Sequence, residues 1–315
     1  MPAPLPVPNF DPAAAFAEVT HLRAALAGGD WPGVRRLLEP LDWDGRTMLV
    51  RVGGEVDGIE PFLRSVLARQ PDDTLAATLL ASHLIEVGWK IRSDARAAHV
   101  SREQFDRFHT HLRQAEQLLI DVCARDPGNV AAWQLRLPTA MGLQLGQAEA
   151  RRRYDRLVAY APHHLSAQTS LLQQYCPKWS GNWEKAFAFA RECMLAAPEG
   201  APNGVLVAEA HLERWVDCDT SAQRAQYLRD PQVARDVREA AERSVLHPAF
   251  QHRPGWVSVR SVFALMLSRL EMWDAARAQF EALGNLGSEY PWSYLGGAKG
   301  YVRYRAEAYE KGRPR

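Results

Sequence analysis

Few residues of this 315-residue chain are of a type and spacing that could do chemistry. His109 and His111 stand two apart on a predicted helix, on roughly opposite faces, so they cannot easily share a metal ion. The sequence has no His-Glu-x-x-His motif and no Cys and His residues at zinc-ligand spacing. Asp217 and Asp219 could act as an acid and a base, but they lie in an apparent insertion, where proximity in sequence means little. We therefore predict no metal, no cofactor and no catalytic residue.

Motifs for nucleophiles and phosphate groups are missing as well. There is no Gly-x-Ser-x-Gly, no P-loop and no Gly-x-Gly-x-x-Gly, and the glycines of residues 294–301 follow no predicted strand. The 38 basic and 37 acidic side chains give a net charge of +1. Nucleic-acid binding requires clustered positive charge, so we predict neither a nucleic-acid partner nor attraction to an anionic membrane.

Cysteine usage and hydropathy favour a cytoplasmic protein. The four cysteines lie far apart, as expected of buried thiols in a reducing compartment. Residues 1–11 lack the basic region and apolar core of a signal peptide, and no apolar stretch approaches the roughly 18 residues of a membrane span. We expect residues 1–11 to be a disordered proline-rich segment and residues 311–315 to be a flexible tail.

The strongest pattern is a recurring helix end, a short polar turn that contains a proline. It occurs at Pro71, Pro127, Pro162, Pro198 and Pro248, at intervals of 56, 35, 36 and 50 residues. Two intervals are close to a period of about 34 residues, and the other two equal one period with an insertion. The insertions fall at residues 88–101 and 217–231. They are either loops that carry function or lengthened helix ends.

Within each period a small residue precedes a second core position by four. The pairs are Ala115 with Leu119, Ala150 with Tyr154, Ala186 with Ala190, and Ala276 with Phe280. The small residue allows two helices to approach closely, and the second residue fills the space one turn later. This pattern of residues resembles the tetratricopeptide (TPR) consensus. The resemblance implies an all-α fold, a TPR-like right-handed α-solenoid of about six to seven helix pairs in one domain over residues 12–310.

The same resemblance predicts the helix bounds. We expect pairs at 12–27 with 31–39, 44–52 with 59–70, 74–89 with 102–125, 130–145 with 148–160, 164–176 with 184–197, 203–217 with 232–246, and 257–271 with 274–285. A capping helix should follow at 292–310. Helix should account for more than about two-thirds of the chain, with no sheet, because each pair buries its apolar face by stacking on its neighbours.

The most distinctive local segment is QYCPKWSGNWEKAFAFA, residues 174–190. It resembles a loop of uncharacterised bacterial TPR-like proteins with the pattern Pro-Lys/Arg-Trp-Gly-Gly-Ser. The matching residues are Pro177, Lys178, Trp179 and Gly181, while Ser180 and Asn182 replace a glycine and the serine. Lys178 and Trp179 would then offer a donor and an aromatic face to a ligand. Alternatively, Trp179 fills the turn between helices and Gly181 supplies an unusual backbone angle.

A TPR-like array would bind its partner in a concave groove lined by the first helix of each pair. Gln134, Gln173 and Glu209 fall at such positions, with Lys178 and Trp179 at the mouth of the middle repeat. The Lys/Asn/Arg clamp of chaperone-binding TPRs is missing, which favours a neutral extended peptide or a helix over an acidic tail. The predicted function is an intracellular protein- or peptide-binding adaptor or carrier. The alternative is an enzyme on a helical-repeat scaffold that tailors a peptide or small molecule.

Overall fold

The computed structural model of the chain describes residues 5–93 and 100–313, and 73% of these residues are helical. Within this part of the chain the only β pairing is an isolated parallel bridge between Asn9 and Leu286, so the predicted all-α class is confirmed. The helices are α1 Ala17–Ala27, α2 Trp31–Leu38, α3 Trp43–Gly54, α4 Glu60–Arg69, α5 Thr74–Arg92, α6 Arg102–Arg125, α7 Val130–Gly142, α8 Gln147–Val158, α9 Leu165–Tyr175, α10 Trp183–Ala196, α11 Val205–Val216, α12 Ser221–Leu228, α13 Pro231–Arg243, α14 Trp256–Arg269, α15 Trp273–Leu283, α16 Glu289–Trp292 and α17 Ala298–Lys311.

The proline turns have a physical explanation in the residue that stands two positions later. Asp73 accepts hydrogen bonds from the backbone N–H groups of Leu75 and Ala76, and so caps the N-terminus of α5. Asn129 caps α7 in the same way, at 3.0 Å from the Ala132 nitrogen. His164 does so for α9 through Nδ1, at 3.3 Å from the Ala167 nitrogen. These three turns therefore end one helix and satisfy the free donors of the next.

The chain divides into two compact units. Residues 16–174 form the N-terminal unit, and residues 175–313 together with residues 5–15 form the C-terminal unit. In the N-terminal unit α1 packs on α3, α3 on α5 and α5 on α7, while each consecutive pair of helices from α4 to α8 is also in contact. Ala115 and Ala150 are 0% and 1% exposed, so their predicted burial is confirmed.

The C-terminal unit repeats this kind of packing. Helix α11 contacts α10, α13 and α14, and α15 lies between α14 and α17. Ala186 and Ala276 are 0% exposed, so their predicted burial is confirmed as well. Among residues 5–93 and 100–313, no helix combines the length and the apolar character that a membrane span requires.

The sequence predicts that residues 1–11 are disordered, but residues 5–11, the part that the structure describes, are held in place. The Asn9 nitrogen donates to the Asn285 oxygen at 2.7 Å, and the Gly287 nitrogen donates to the Asn9 oxygen at 2.9 Å. The Phe10 ring lies edge-on against Tyr301 at 6.0 Å. Backbone hydrogen bonds and an aromatic contact thus hold this segment on the C-terminal unit. The single domain predicted for 12–310 stays a prediction.

The predictions for the insertion 217–231, for the capping helix and for the C-terminal tail need correction. The insertion 217–231 is neither a loop nor a lengthened helix end, because it contains the separate helix α12. The predicted capping helix begins later, with α17, after a short helical turn and two glycines in the left-handed region. In the predicted tail, the Arg313 nitrogen donates to Asp274 Oδ1 at 2.8 Å. In the insertion 88–101, residues 88–92 extend α5, and residues 94–99 lie outside the described residues.

Candidate functional site

The loop between α9 and α10 is held in shape by its own backbone. Residues Pro177–Trp179 form one turn of 3-10 helix, and Ser180 follows in the left-handed region with φ of 67°. The carbonyl oxygen of Cys176 accepts from the nitrogens of Trp179 and Gly181, at 2.9 and 3.2 Å. A Cβ atom on Gly181 would overlap the carbonyl group of Tyr175. Glycine is therefore needed at this position for close approach, and the unusual backbone angle belongs to Ser180.

The second departure from the resembled pattern also has a local reason. Asn182 is the N-cap of α10, and its Oδ1 accepts from the Lys185 nitrogen at 2.8 Å. Asparagine and serine are both favourable N-cap residues. The loop thus keeps its capping hydrogen bond with asparagine in place of serine.

Lys178 reaches from this loop to a buried carboxylate on α11. Its Nζ lies 2.7 Å from Oε2 of Glu213, whose side chain is only 3% exposed. The Tyr294 hydroxyl donates to the other oxygen, Oε1, at 3.0 Å. The Lys178 side chain is 43% exposed and Tyr294 is 40% exposed. One buried carboxylate therefore holds two side chains that both face solvent, and we call Lys178, Tyr294 and the adjoining Trp179 the Lys178 surface.

Behind this surface lie the buried carboxylates of Glu209 and Glu213 and the half-buried Tyr290. The Tyr290 ring contacts the Tyr294 ring edge-on at 5.9 Å, and its buried hydroxyl has no hydrogen-bond partner among the described residues. Burial, and then the negative charges of Glu209 and Glu213, raise the pKa of Tyr290. Burial likewise raises the pKa of the Cys176 thiol to about 12. These tyrosine and cysteine side chains therefore stay protonated at neutral pH.

Of the other predicted site residues, Gln134 and Gln173 lie in the other unit, whereas Glu209 lies buried behind the Lys178 surface. Gln134 is 5% exposed, with Nε2 3.4 Å from the Ser170 hydroxyl, and Gln173 is half-buried; both belong to the N-terminal unit. Glu209 is 5% exposed in the C-terminal unit. Because Gln134 and Glu209 are buried, little of either side chain is open to a partner.

The N-terminal unit contains a second buried carboxylate, which is enclosed on all sides. Glu116 on α6 receives the guanidinium of Arg136 at 2.9 Å and that of Arg153 at 2.8 Å. The Thr139 hydroxyl donates to its other oxygen at 2.7 Å. The side chains of Arg136 and Arg153 are only 9% and 3% exposed. This network joins α6, α7 and α8, and none of the side chains of Glu116, Arg136 and Arg153 is more than 11% exposed.

A third feature is an open cleft of about 670 Å³ in the C-terminal unit, at the insertion predicted for residues 217–231. We call it the α12 cleft. Its lining residues come from the end of α11, from α12 and from the turn before α13: Arg214, Asp217, Cys218, Asp219, Gln223, Gln226, Tyr227, Arg229 and Asp230. The volume lies within the range of small-molecule sites, whereas the lining is far more polar than in most of them.

The walls of the α12 cleft are fixed by hydrogen bonds. Arg224 donates to the carbonyl oxygens of Cys218 and Val216 at 3.1 and 3.3 Å, which ties α12 to the end of α11. Tyr227 Oη lies 2.6 Å from Nδ1 of the buried His211. Burial lowers the pKa of His211, against the opposing charge of Asp236. The cleft is therefore a formed feature of the unit.

Neither Glu213 nor Tyr294 is among the predicted site residues, although Glu213, like Glu209, falls at a position that the TPR-like register assigns to the groove. Glu213 lies 35 residues from Lys178 and 81 residues from Tyr294 along the chain. Helix α12 did have a local signal, since Thr220 and Gln223 form a capping box of the kind that marks a helix start. Among the described residues, no group of three or more His, Cys, Asp or Glu side chains is placed to hold a metal ion. No protein-family model and no curated protein matches this chain.

Proposed function

We propose that this chain is a cytoplasmic TPR-like α-solenoid that binds a protein or peptide segment. Two observations support the TPR-like interpretation. The alanines at the repeat positions are buried in both units, and α1, α3, α5 and α7 pack in the alternating order of stacked helix pairs. Stacked pairs of this kind commonly present binding surfaces.

The partner contacts the Lys178 surface. The observation that supports this assignment is that the buried carboxylate of Glu213 accepts hydrogen bonds from both Lys178 and Tyr294. Each of the two side chains is more than a third exposed, yet each has its polar end fixed. Fixing side chains before association lowers the entropy cost of binding them. Gln134 and Glu209, by contrast, are buried and do not carry the contact.

The chemistry of this surface suits a protein segment. Tyrosine and tryptophan are enriched among the residues that dominate binding energy at interfaces. An ammonium group has three donors, so Lys178 can hold Glu213 and still donate to a carbonyl or carboxylate oxygen of a partner. The surface therefore combines aromatic area with a directed donor.

The test compares partner capture by the wild-type chain and by a Trp179→Ala/Tyr294→Ala variant, using native cell extract and mass spectrometry. Tyr160→Ala is the matched control, because Tyr160 is 53% exposed and lies in the N-terminal unit. A partner that is held by wild type and the control but lost from the double variant supports the proposal. Equal capture by all three proteins, with unchanged circular dichroism, would show that the partner contacts another surface.

A further inference from the structure

The α12 cleft is lined by charged side chains of both signs, and two of them, one before and one after α12, have no polar partner among the described residues. Two arginines and three aspartates line it. Among the residues that the structure describes, no hydrogen bond or ion pair engages the side chain of Asp219 or that of Arg229, and both residues are exposed. Their neighbours Asp217 and Asp230 are partly engaged, the first with Arg214 at 3.8 Å and the second as the N-cap of α13.

The spacing of these two free charges is set by α12. Asp219 precedes this helix and Arg229 follows it. Eight residues of α-helix rise by roughly 12 Å, at about 1.5 Å per residue. An extended peptide advances at most about 3.3–3.6 Å per residue, so three residues span roughly 10 Å between their terminal groups. A single amino acid is too short to reach from one end of the helix to the other.

The rest of the lining provides hydrogen-bonding groups between the charged ends. Gln223 uses Oε1 to accept from the Thr220 nitrogen, which leaves its amide nitrogen able to donate. Gln226 follows one turn later on the same helix and also lines the cleft. Amide side chains pair with peptide N–H and C=O groups without demanding particular side chains. The aromatic ring of Tyr227 completes this wall.

From these features we infer that the α12 cleft binds a short peptide of about three residues with both termini free. The terminal ammonium group pairs with Asp219, and the terminal carboxylate pairs with Arg229. The Arg214 guanidinium also lines the cleft, where it lies over the rings of Trp183 and Tyr227 at 5.6 and 5.8 Å. This site is separate from the Lys178 surface and uses none of its residues.

The experiment titrates the full chain with triglycine, followed by ligand-observed NMR. Two probes serve as controls. N-acetyl-triglycine amide has the same backbone without the charges, and glycine has the charges without the length. We expect triglycine to bind at least about threefold more tightly than either, because exposed charge pairs each add modestly to affinity. Equal affinity for triglycine and the blocked peptide, or no binding of triglycine, would overturn the inference.

Two variants then assign the ends of the peptide. Asp219→Asn and Arg229→Gln should each weaken triglycine binding by about threefold to fivefold and leave the affinity for the blocked peptide unchanged. Asp121→Asn and Arg238→Gln are matched controls, since both residues are exposed and lie outside the cleft. If the control variants weaken binding as much as the cleft variants, the effect is one of net charge and the assignment fails. Partner capture by the Lys178 surface is tested with other residues, so the two proposals can fail separately.

Discussion

Each unit buries a glutamate against cationic side chains, yet the two arrangements differ in what they show to solvent. In the N-terminal unit, Glu116 is held by two arginines whose side chains are at most 9% exposed. In the C-terminal unit, Glu213 is more deeply buried, at 3%, but the lysine that pairs with it is 43% exposed. The first arrangement is enclosed, whereas the second has a buried anchor and an open surface.

The difference separates an ion pair that can only hold helices together from one whose cation can also contact another molecule. A cation inside the core can only position the helices that supply it, as Arg136 and Arg153 do for α7 and α8. A cation at the surface keeps donors for another molecule. Glu149 shows how strongly the N-terminal network holds its charges, since hydrogen bonds from Arg152, and then Arg153, lower its pKa to about 2.

The largest effect should follow removal of a cation from the enclosed network. Arg153→Met keeps the unbranched stem of the side chain but, among the residues that the structure describes, leaves Arg136 as the one cation that pairs with Glu116. Breaking a buried pair costs about 3–5 kcal/mol where the remaining charge is left without compensation; because Arg136 still pairs with Glu116, we expect a loss at the lower end of this range, about 3 kcal/mol. Urea unfolding should show this loss as a lower midpoint with an unchanged slope.

A control for this variant lies next to it on α8. Arg152 pairs with Glu149 at 2.7 Å but is 55% exposed. Arg152→Met should therefore cost less than about 1 kcal/mol. If the two variants unfold at the same urea concentration, burial does not set the strength of the network and the comparison fails.

The next effect tests how closely the helices of the N-terminal unit approach. Ala150 is 1% exposed at the repeat position of α8. Ala150→Leu should destabilise the unit by about 1–3 kcal/mol, because the larger side chain overpacks the helix contact. Ala148→Leu, two positions earlier on an exposed site, should be nearly neutral. The melting temperatures of the two variants and of the wild type are measured by thermal unfolding. An unchanged melting temperature for Ala150→Leu would contradict the repeat register.

Lys178→Met applies the same kind of change to the open site. We expect a loss of about 1–2 kcal/mol, smaller than for Arg153→Met, because water reaches the Lys178 end of the pair. Lys178→Arg keeps the charge and should restore most of the stability. Urea unfolding of both variants is the measurement. A loss as large as that of Arg153→Met would mean that this pair is as enclosed as the Glu116 network.

Much of the helix pattern could be predicted from the sequence because its signals are local. Prolines that end helices, and Asp73 and Asn129 as caps two residues later, act within one turn of the chain. The burial of Ala115 and Ala276 follows from their spacing to the next core residue. The order of the helices needed no long-range information.

The candidate site could be predicted only in part. A local resemblance indicates Lys178, but its partner Glu213, and Tyr294, which donates to the same carboxylate, come from distant helical segments, and only the folded chain brings them together. Gln134 and Glu209 fall at positions that TPR-like registers assign to a groove. The register does not tell what packs over such a position, and here both side chains are buried.

The smallest predicted effect concerns the pH dependence of stability, and it compares one buried histidine in each unit. His164 lies 3.1 Å from the Thr47 hydroxyl and 3.7 Å from Asp44, and His211 lies 3.4 Å from Asp236. Burial lowers the pKa of both histidines, although the neighbouring carboxylates oppose the shift. The folded state therefore resists protonation in both units.

The sign of the pH dependence follows from this resistance. Below a pH of about 6.5 the unfolded chain takes up a proton that the folded chain does not, so the free energy of unfolding falls as pH falls. Each histidine contributes a slope of at most about 1.4 kcal/mol per pH unit between its unfolded and folded pKa values. Its full contribution to stability is thus present above pH 6.5 and is lost on acidification.

Urea unfolding of the wild type, His164→Gln and His211→Gln between pH 7.5 and 5.5 isolates these contributions. The raised pKa of Glu86, caused first by burial, acts in the opposite direction but is common to all three proteins. We expect the stability advantage of wild type over each variant to shrink by about 1 kcal/mol across this range. Asp236 is 23% exposed and Asp44 is 44% exposed. Because water screens Asp236 less, it stabilises the protonated form of His211 more than Asp44 stabilises that of His164. The decline should therefore be smaller for the His211 comparison than for the His164 comparison. A wild-type advantage that stays constant or grows on acidification would show that the two histidines accept protons inside the folded protein.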